Sequence, residues 1–411
     1  MVTLFLIVIY AAFISLGLPD SLLGVAWRVV QKEFGASLGD AGIISMVISI
    51  GTVISSLFSS RLLSRFGVGK VTAVSVLMTA LALLGFSFAP AFIAMILLAI
   101  PLGLGAGAVD SGLNEYVAEH YESRHMSWLH CFWGVGAMTG PLIMSQYMSM
   151  GADWRMGYLT VAVIQFILVA VLIVTLPLWD KVAKITSQKR ETEEKSPEGS
   201  KEPQPESFPA STSSGKKGFL VPLKIKGAKV ALVSFFLYCG VEMTLGLWGS
   251  SFLITEKGID TATAAQWVSF YWGGLTVGRL VSGFLAMKLN NQQMIRMGEL
   301  TVLLGVICLL LPLPQFVCLI GFVLVGVGCA PIYPCMLHET PVRFGKKDAQ
   351  SMMGFQMAVC YIGSTLLPPF FGLVATKVTV GLLPVFLLVY IVIMLVSSEA
   401  ANYIFNRRGQ S

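Results

Sequence analysis

Residues 181–218 read KVAKITSQKRETEEKSPEGSKEPQPESFPASTSSGKKG, a stretch rich in Lys, Glu, Ser and Pro within a chain that is otherwise strongly apolar. Such a segment buries too little apolar surface to offset the entropy lost on ordering, so we predict a disordered linker over residues 180–225. The parts on either side are similar in length and hydropathy. The sequence therefore predicts an N-terminal domain over residues 1–179 and a C-terminal domain over residues 226–411.

The composition of both parts is that of a membrane protein. Of the 411 residues, 55% are hydrophobic and only 12% are charged, and the mean hydropathy is +0.77. An average soluble domain carries about 25% charged residues, so this composition argues against a soluble enzyme and for a polytopic membrane protein. The formal net charge of +6 does not indicate a nucleic-acid partner, because the basic residues lie at predicted helix ends and in the linker.

Twelve segments are long enough to cross a bilayer, since a spanning helix needs about 20 apolar residues. The predicted spans are 2–32, 40–62, 70–89, 91–118, 126–150, 155–178, 226–255, 261–286, 294–312, 314–338, 348–374 and 379–406. The expected fold is an all-α integral membrane protein with two six-helix bundles.

The distribution of Lys and Arg predicts the topology. Short loops on the side of the two termini and the linker hold eleven of these residues, and the opposite side holds five. By the positive-inside rule both termini are expected in the cytoplasm, in a multi-pass protein of the plasma membrane. The first span has no basic segment before it and contains Asp20 rather than a small-residue cleavage site, which argues against a removed signal peptide. The expected partners are lipid and a small solute, and the expected state is a monomer.

Ionisable side chains at bilayer depth are costly, so each one is a functional candidate. Four stand out, namely Asp20, Asp110, Glu242 and Arg279. Asp20 follows Pro19, so its alternative role is a cap or kink partner where the helix is weak. Arg279 fits a snorkelling residue or a gate ion pair better than a ligand.

The N-terminal domain combines two carboxyl groups with polar neighbours. Asn114 lies four residues after Asp110 and hence on the same helical face. His130 is either an ordinary core histidine or a proton carrier. Burial favours the neutral form of a carboxylic acid, so Asp20 and Asp110, with His130, could take up a proton on one side and release it on the other. Sodium coordination stays open as an alternative.

The C-terminal domain offers groups suited to a hydroxylated ligand. Carboxylate and amide groups bond hydroxyls, and aromatic rings stack on sugar C–H groups. The substrate-binding candidates of both domains are Asn114, Glu242, Trp133, Trp248, Tyr271, Tyr333, Gln356 and Tyr361. Glu299 is a further intramembrane charge to which the sequence assigns no role.

Several motifs together resemble the fucose–proton symporter-type branch of the major facilitator superfamily. They are GLPDSLL (17–23), DSGLNEY (110–116), LHCFWGVGAMTGP (129–141), GVEMTLGLW (240–248) and FYWGGLTVGR (270–279). The resemblance implies two helix bundles with a substrate site near the membrane midplane, and it implies that Asp20 and Asp110 handle sugar and proton. The motif SSRLLSRFGVGK (59–70) resembles the superfamily signature, with Ser64 at a usually acidic position. This implies that Arg61, Arg65 and Lys70 belong to an inner gate.

The sequence also departs from the fucose symporter at individual positions. The span 4 acid, commonly Glu there, is Asp110 here, and Glu115 replaces the Pro that follows Asn114. His130 replaces a Gln, and Gly17 or Leu18 replaces a polar residue. These changes leave the identity of the sugar open.

The leading hypothesis is a secondary active transporter that couples a proton to uptake of a monosaccharide or similar small solute by alternating access. The alternatives are an exporter of amphipathic drugs or metabolites, which 19 Met residues would suit, and a nutrient receptor without transport. An enzyme is not expected, because no nucleophile–base motif or phosphate loop appears. His120, His125 and His130 are five residues apart, a spacing that turns successive rings off one helical face and runs across a loop, so no metal site is expected. No cofactor is expected besides the coupling ion, H+ or alternatively Na+.

Overall fold

The computed structural model describes residues 2–121, 123–194, 225 and 227–408, and within these ranges it contains α-helices, one 3₁₀ turn and no β-strand. The helices are α1 (Val2–Asp20), α2 (Leu22–Phe34), α3 (Asp40–Phe66), α4 (Val68–Ser87), α5 (Phe92–His120), α6 (Ser123–Ser149), α7 (Arg155–Glu194), α8 (Ala228–Glu256), α9 (Thr261–Leu285), α10 (Asn291–Leu310), α11 (Gln315–His338), α12 (Thr340–Phe344), α13 (Lys346–Lys377) and α14 (Leu383–Arg408). The prediction of an all-α membrane protein is confirmed.

Each predicted span coincides with a helix of the structure. Ten segments in the described part of the chain are long and apolar enough to cross a membrane. The other two predicted spans correspond to α6 and α9, which have 27 and 25 residues. These two helices are long enough to cross, but glycine, hydroxyl and aromatic residues lower their hydropathy. Polar helices of this kind are expected where a transporter lines a polar pathway.

The first span is a broken helix. Pro19 lies in the last turn of α1, and the turn at Ser21 separates α1 from α2. Proline has no N–H to donate to the carbonyl four residues before it, here that of Ser15. The Nε2 of Gln165 donates to this carbonyl at 2.8 Å, and the Oε1 of Gln165 accepts from the Thr79 hydroxyl at 2.8 Å. The buried Gln165 therefore satisfies a backbone group that the proline leaves without an intrahelical partner.

The expected linker is ordered at its start, which corrects the prediction of disorder from residue 180. Helix α7 continues through the polar sequence to Glu194. Extending an existing helix needs no new nucleation, and Lys, Arg, Glu and Gln are good helix formers. The remainder of the predicted linker, apart from residue 225, lies outside the described residues.

The chain forms two compact units. The first comprises the described residues within Met1–Asp20, Val47–Gly140 and Arg155–Thr212, and in it α1 packs against α4, α5 and α7. The second comprises the described residues within Ser21–Met46, Pro141–Trp154 and Ser213–Ser411, and in it α8 packs against α2, α9, α13 and α14. The units thus do not follow the chain order, and the domain bounds expected from the sequence stay a prediction.

Glycines let helices of the first unit approach closely, as small-xxx-small patterns do in membranes. A Cβ atom at Gly103 or Gly107 of α5 would overlap a carbonyl oxygen of α3, that of Ile48 or Thr52. A Cβ atom at Gly136 of α6 would overlap the carbonyl oxygen of Ile14 in α1. These glycines are therefore packing residues.

We expect Gly136→Ala to destabilise the protein by about 1–3 kcal/mol. The new methyl group would overlap backbone atoms, which cannot move aside by a change of rotamer as a side chain can. Gly283→Ala is the matched control, because a Cβ atom there meets nothing within 4 Å and alanine favours the helix. Thermal unfolding of both variants in detergent measures the difference. Equal melting temperatures for the two variants would show that the close α1–α6 approach is wrong.

Helix α9 begins at a well-formed cap outside the spans. The Oδ1 of Asp260 accepts from the backbone N–H of Thr263 at 2.9 Å. Hydrogen bonds from Thr263, through its hydroxyl first and its N–H second, hold the pKa of Asp260 below the ordinary value of 3.8. The carboxylate therefore favours the start of this helix at neutral pH.

We expect Asp260→Ala to lower the stability by ~1 kcal/mol at pH 7. Since the folded-state pKa is lowered, this contribution is present above the ordinary pKa and is lost as the pH falls through the folded-state value. The difference in melting temperature between wild type and variant should therefore shrink between pH 7 and pH 3. Asp260→Asn, which keeps a capping oxygen and does not titrate, should show no such pH dependence.

Candidate functional site

Asp20 lies where the first span is broken. It is the last residue of α1, its side chain is exposed, and its Oδ2 accepts from the Trp133 Nε1 at 2.9 Å. Helix α6 brings Trp133 this close because Gly17 has no side chain, and a Cβ atom there would overlap the Trp133 carbonyl. Contact with lipid is too costly for an exposed carboxyl group within a span, so Asp20 faces water or a polar cavity.

Asp110 and Asn114 form a second polar group on α5. The Asn114 Nδ2 donates to the Asp110 Oδ1 and to the Asp110 carbonyl oxygen, both at 2.9 Å. Both side chains are half-buried, and α5 packs against α1, the helix that ends at Asp20. The structure therefore brings together four of the predicted site residues, Asp20, Asp110, Asn114 and Trp133, in what we call the carboxyl site.

His130 lies beside the same helix as Asp20. Its side chain is exposed, and its ring meets that of Phe13 edge to face at a centroid distance of 5.8 Å. Phe13 lies seven residues before Asp20, two turns away on the same face of α1. A second histidine that the sequence analysis did not select, His125, lies within hydrogen-bond distance of the Tyr10 hydroxyl at 2.9 Å.

Glu242 and Arg279 form an ion pair in the second unit. The Arg279 Nη2 lies 3.5 Å from the Glu242 Oε1, and the two side chains are 16% and 6% exposed. Side chains lean toward the N-terminus of their helix, and on α9 this direction carries the Arg279 guanidinium toward Glu242 and away from the end of the helix. Arg279 therefore pairs across two helices and does not snorkel to the surface.

Tyrosines surround this ion pair. The Tyr271 hydroxyl donates to the Glu242 carbonyl oxygen at 2.9 Å. The ring of Tyr333 stacks on that of Tyr238, with centroids 5.8 Å apart and planes inclined at 29°. Tyr238 was not selected from the sequence, although its position four residues before Glu242 places it on the same helical face. We call Glu242, Arg279, Tyr238, Tyr271 and Tyr333 the ion-pair site.

Three other candidates make contacts within the protein. Trp248 is fully buried, and its Nε1 donates to the Pro368 carbonyl at 2.8 Å. Gln356 is buried, and its Oε1 accepts from the Thr340 hydroxyl at 2.8 Å. Tyr361 is half-buried on α13. The structure gives Trp248 and Gln356 packing contacts, and a role of these three residues in binding stays a prediction.

The expected gate residues lie at the α3–α4 connection. Arg61, Arg65 and Lys70 are exposed there, and the guanidinium of Arg65 lies 5.3 Å from the ring centroid of Phe66. The connection turns at Gly67, whose φ of 81° is accessible mainly to glycine. The gating role of the three basic residues stays a prediction.

Glu299, to which the sequence assigned no role, is fully buried on α10. Its Oε1 accepts a hydrogen bond from the Ser398 hydroxyl of α14. Two ion pairs lie nearby, Arg296 with Glu399 and Arg343 with Glu339. Because the two arginines already have carboxylate partners, Glu299 serves to join α10 to α14 through Ser398.

A metal centre was not expected from the sequence. Among the residues that the structure describes, no group of three or more His, Cys, Asp or Glu side chains could hold a metal ion.

Comparison with known proteins adds a family and several relatives. A family model described as Major Facilitator Superfamily matches residues 9–368. The chain is 24% identical over 409 residues to Bypass of stop codon protein 6 of Saccharomyces cerevisiae, covering 95% of this chain and 80% of the relative. It is 21% identical to the glucose/mannose transporter GlcP of Bacillus subtilis, covering 80% and 77%. A crystal structure of a D-xylose-proton symporter has the same fold, with a TM-score of 0.72, 12% identity and coverage of 97% and 96%.

Proposed function

Because this chain belongs to the Major Facilitator Superfamily, we propose that it couples a proton to the movement of a monosaccharide or similar small polar solute by alternating access. The general role of the chain as a transporter does not depend on that proposal. The chain is a multi-pass membrane transporter, and the expectation of a transporter in place of an enzyme is confirmed by the family.

The carboxyl site is the observation that carries the proposal. Asp20 and Asp110 lie on the packed helices α1 and α5, and a proton on either one would relieve the repulsion between two carboxylates there. Asp20 also lies at a helix break, and discontinuous helices are where transporters hold their substrates and coupling ions. A carboxyl group that is solvated from one side at a time would take up and release a proton without any other cofactor.

The side chains near these carboxyl groups favour a hydroxylated solute. Asn114 can donate and accept hydrogen bonds, and Trp133 offers an aromatic face next to Asp20. In the second unit, Glu242 lies among tyrosines. The relative GlcP is a glucose/mannose transporter by its name, which is consistent with a hexose as substrate.

The predicted topology completes the proposal. The excess of Lys and Arg in the short loops on one side favours a topology with both termini and the linker in the cytoplasm, and we propose the plasma membrane as the location. Arg61, Arg65 and Lys70 then lie at the cytoplasmic end, where they would form the inner gate. We propose a monomer that needs no partner besides lipid, solute and the coupling ion.

Uptake of radiolabelled hexoses into proteoliposomes tests the function. An inward proton gradient should drive accumulation above the external concentration, and dissipating it with a protonophore should leave equilibration only. Accumulation that follows a sodium gradient at constant pH would replace the proton by Na+. Dye export without competition from sugars would favour the exporter, and binding without flux would favour a receptor.

A further inference from the structure

The ion-pair site places a cation where a solute with a negative charge would be attracted. Glu242 is the central residue of α8, so it lies near the middle of its span, where transporters of this architecture bind their substrates. Arg279 reaches it from α9 at 3.5 Å. A guanidinium carries five N–H donors arranged to bind a carboxylate in a bidentate manner, so an uncovered Arg279 would be a strong site for a sugar acid.

Glu242 removes that attraction. Its carboxylate neutralises Arg279, so the pair together presents no net charge to a solute. A sugar acid would bring a second carboxylate next to Glu242, and like charges in a poorly solvated site repel strongly. A neutral sugar meets no such repulsion, and Tyr333, the half-buried tyrosine of the ion-pair site, can offer it a ring face.

We propose that Glu242 masks Arg279 as an anion-binding residue and thereby makes the transporter select uncharged sugars over sugar acids. This inference rests on the proposed function, in that the ion-pair site is taken to contact the solute. It assigns Glu242 and Arg279 a joint role as the determinant of charge selectivity, beyond the substrate-binding role expected for Glu242 and the gate role expected for Arg279.

The test compares binding of D-glucose and D-glucuronate to the purified full-length protein by thermal shift and by equilibrium binding. In Glu242→Gln the amide keeps the shape of the side chain but no longer neutralises Arg279. We expect this variant to bind D-glucuronate at least ~10-fold more tightly than wild type does, because Arg279 can then form charge-assisted hydrogen bonds with the carboxylate of the ligand. The double variant Glu242→Gln/Arg279→Gln should lose that gain, because the cation is absent.

The outcomes separate the inference from the function on which it rests. If Glu242→Gln gains no affinity for D-glucuronate, or if the double variant keeps the gain, the masking role is wrong, whatever the wild type binds. A wild type that binds neither sugar argues against the proposed hexose, while a gain in the variant would still support masking. If Glu242→Gln does not fold, Glu242→Met, which also removes the carboxylate and keeps the length of the side chain, is expected to shift affinity in the same direction.

Discussion

Proteoliposomes that contain Asp20→Asn should not accumulate hexose when a proton gradient is imposed. A gradient of one pH unit stores about 1.4 kcal/mol per proton, which corresponds to about tenfold accumulation for one proton per solute. The amide has no exchangeable acidic proton, so the accumulation ratio of the variant should fall to one. Its oxygen can still accept the hydrogen bond from Trp133, so the protein should stay folded and exchange labelled hexose without a gradient.

Two further variants make this result specific. Asp110→Asn should behave in the same way if the two carboxyl groups act as a pair, because either substitution leaves one titratable carboxyl group where the pair had two. Asp260→Asn is the matched control, since it makes the same chemical change at a helix cap outside the spans and should leave accumulation unchanged. Gradient-driven accumulation by Asp20→Asn at the level of wild type would contradict the coupling role of this residue.

Arg279→Gln should be among the most destabilising single changes in the protein. It leaves the 6% exposed Glu242 side chain without its counter-ion, and breaking a buried ion pair in this way costs about 3–5 kcal/mol. The double variant Glu242→Gln/Arg279→Gln should recover most of that loss, because both charges are then absent. Thermal unfolding in detergent of the two single variants and the double variant forms a cycle that isolates the interaction.

The control for this cycle is an exposed pair of the same chemistry. Arg296 and Glu399 are joined at 2.6 Å, with side chains 53% and 42% exposed. Surface pairs contribute about 0–1 kcal/mol, so Arg296→Gln should change the stability much less than Arg279→Gln. Equal stability of the two arginine variants would show that the Glu242–Arg279 pair is solvated. It would then contradict the proposal that Glu242 masks Arg279 in a poorly solvated site.

The individual residues of the candidate site could largely be predicted from the sequence, but which of them pair with each other could not. The cost of a charge in lipid was enough to single out Asp20, Asp110, Glu242 and Arg279. The i, i+4 spacing was enough to place Asn114 beside Asp110, and the hydrogen bond between them confirms that proximity. That Arg279 pairs with Glu242 could not be predicted, since the same arginine near a helix end could equally have reached the surface.

Two residues that were predicted from their chemical type alone have hydrogen-bond partners within the protein. Trp248 and Gln356 have the aromatic and amide groups that a sugar site needs, yet both lie buried with protein partners. Aromatic and amide side chains suit a ligand and a helix interface equally, so their type does not distinguish the two. The position of Tyr238 four residues before Glu242 was a signal in the sequence, but its stacking on Tyr333 depends on how α8 packs against α11.

The helices themselves were determined by the sequence alone, because a spanning segment must satisfy its backbone hydrogen bonds within itself and its length must match the bilayer. Hydropathy and the position of Pro19 were therefore sufficient to predict where helices lie and where the first one is weak. Partners distant in the chain were decided by the tertiary structure. Gln165 bonds the Ser15 carbonyl from 150 residues away, and Ser398 bonds the otherwise unassigned Glu299. Hydropathy measures how apolar a span is and does not encode which helix faces which, so only packing selects the polar groups that meet.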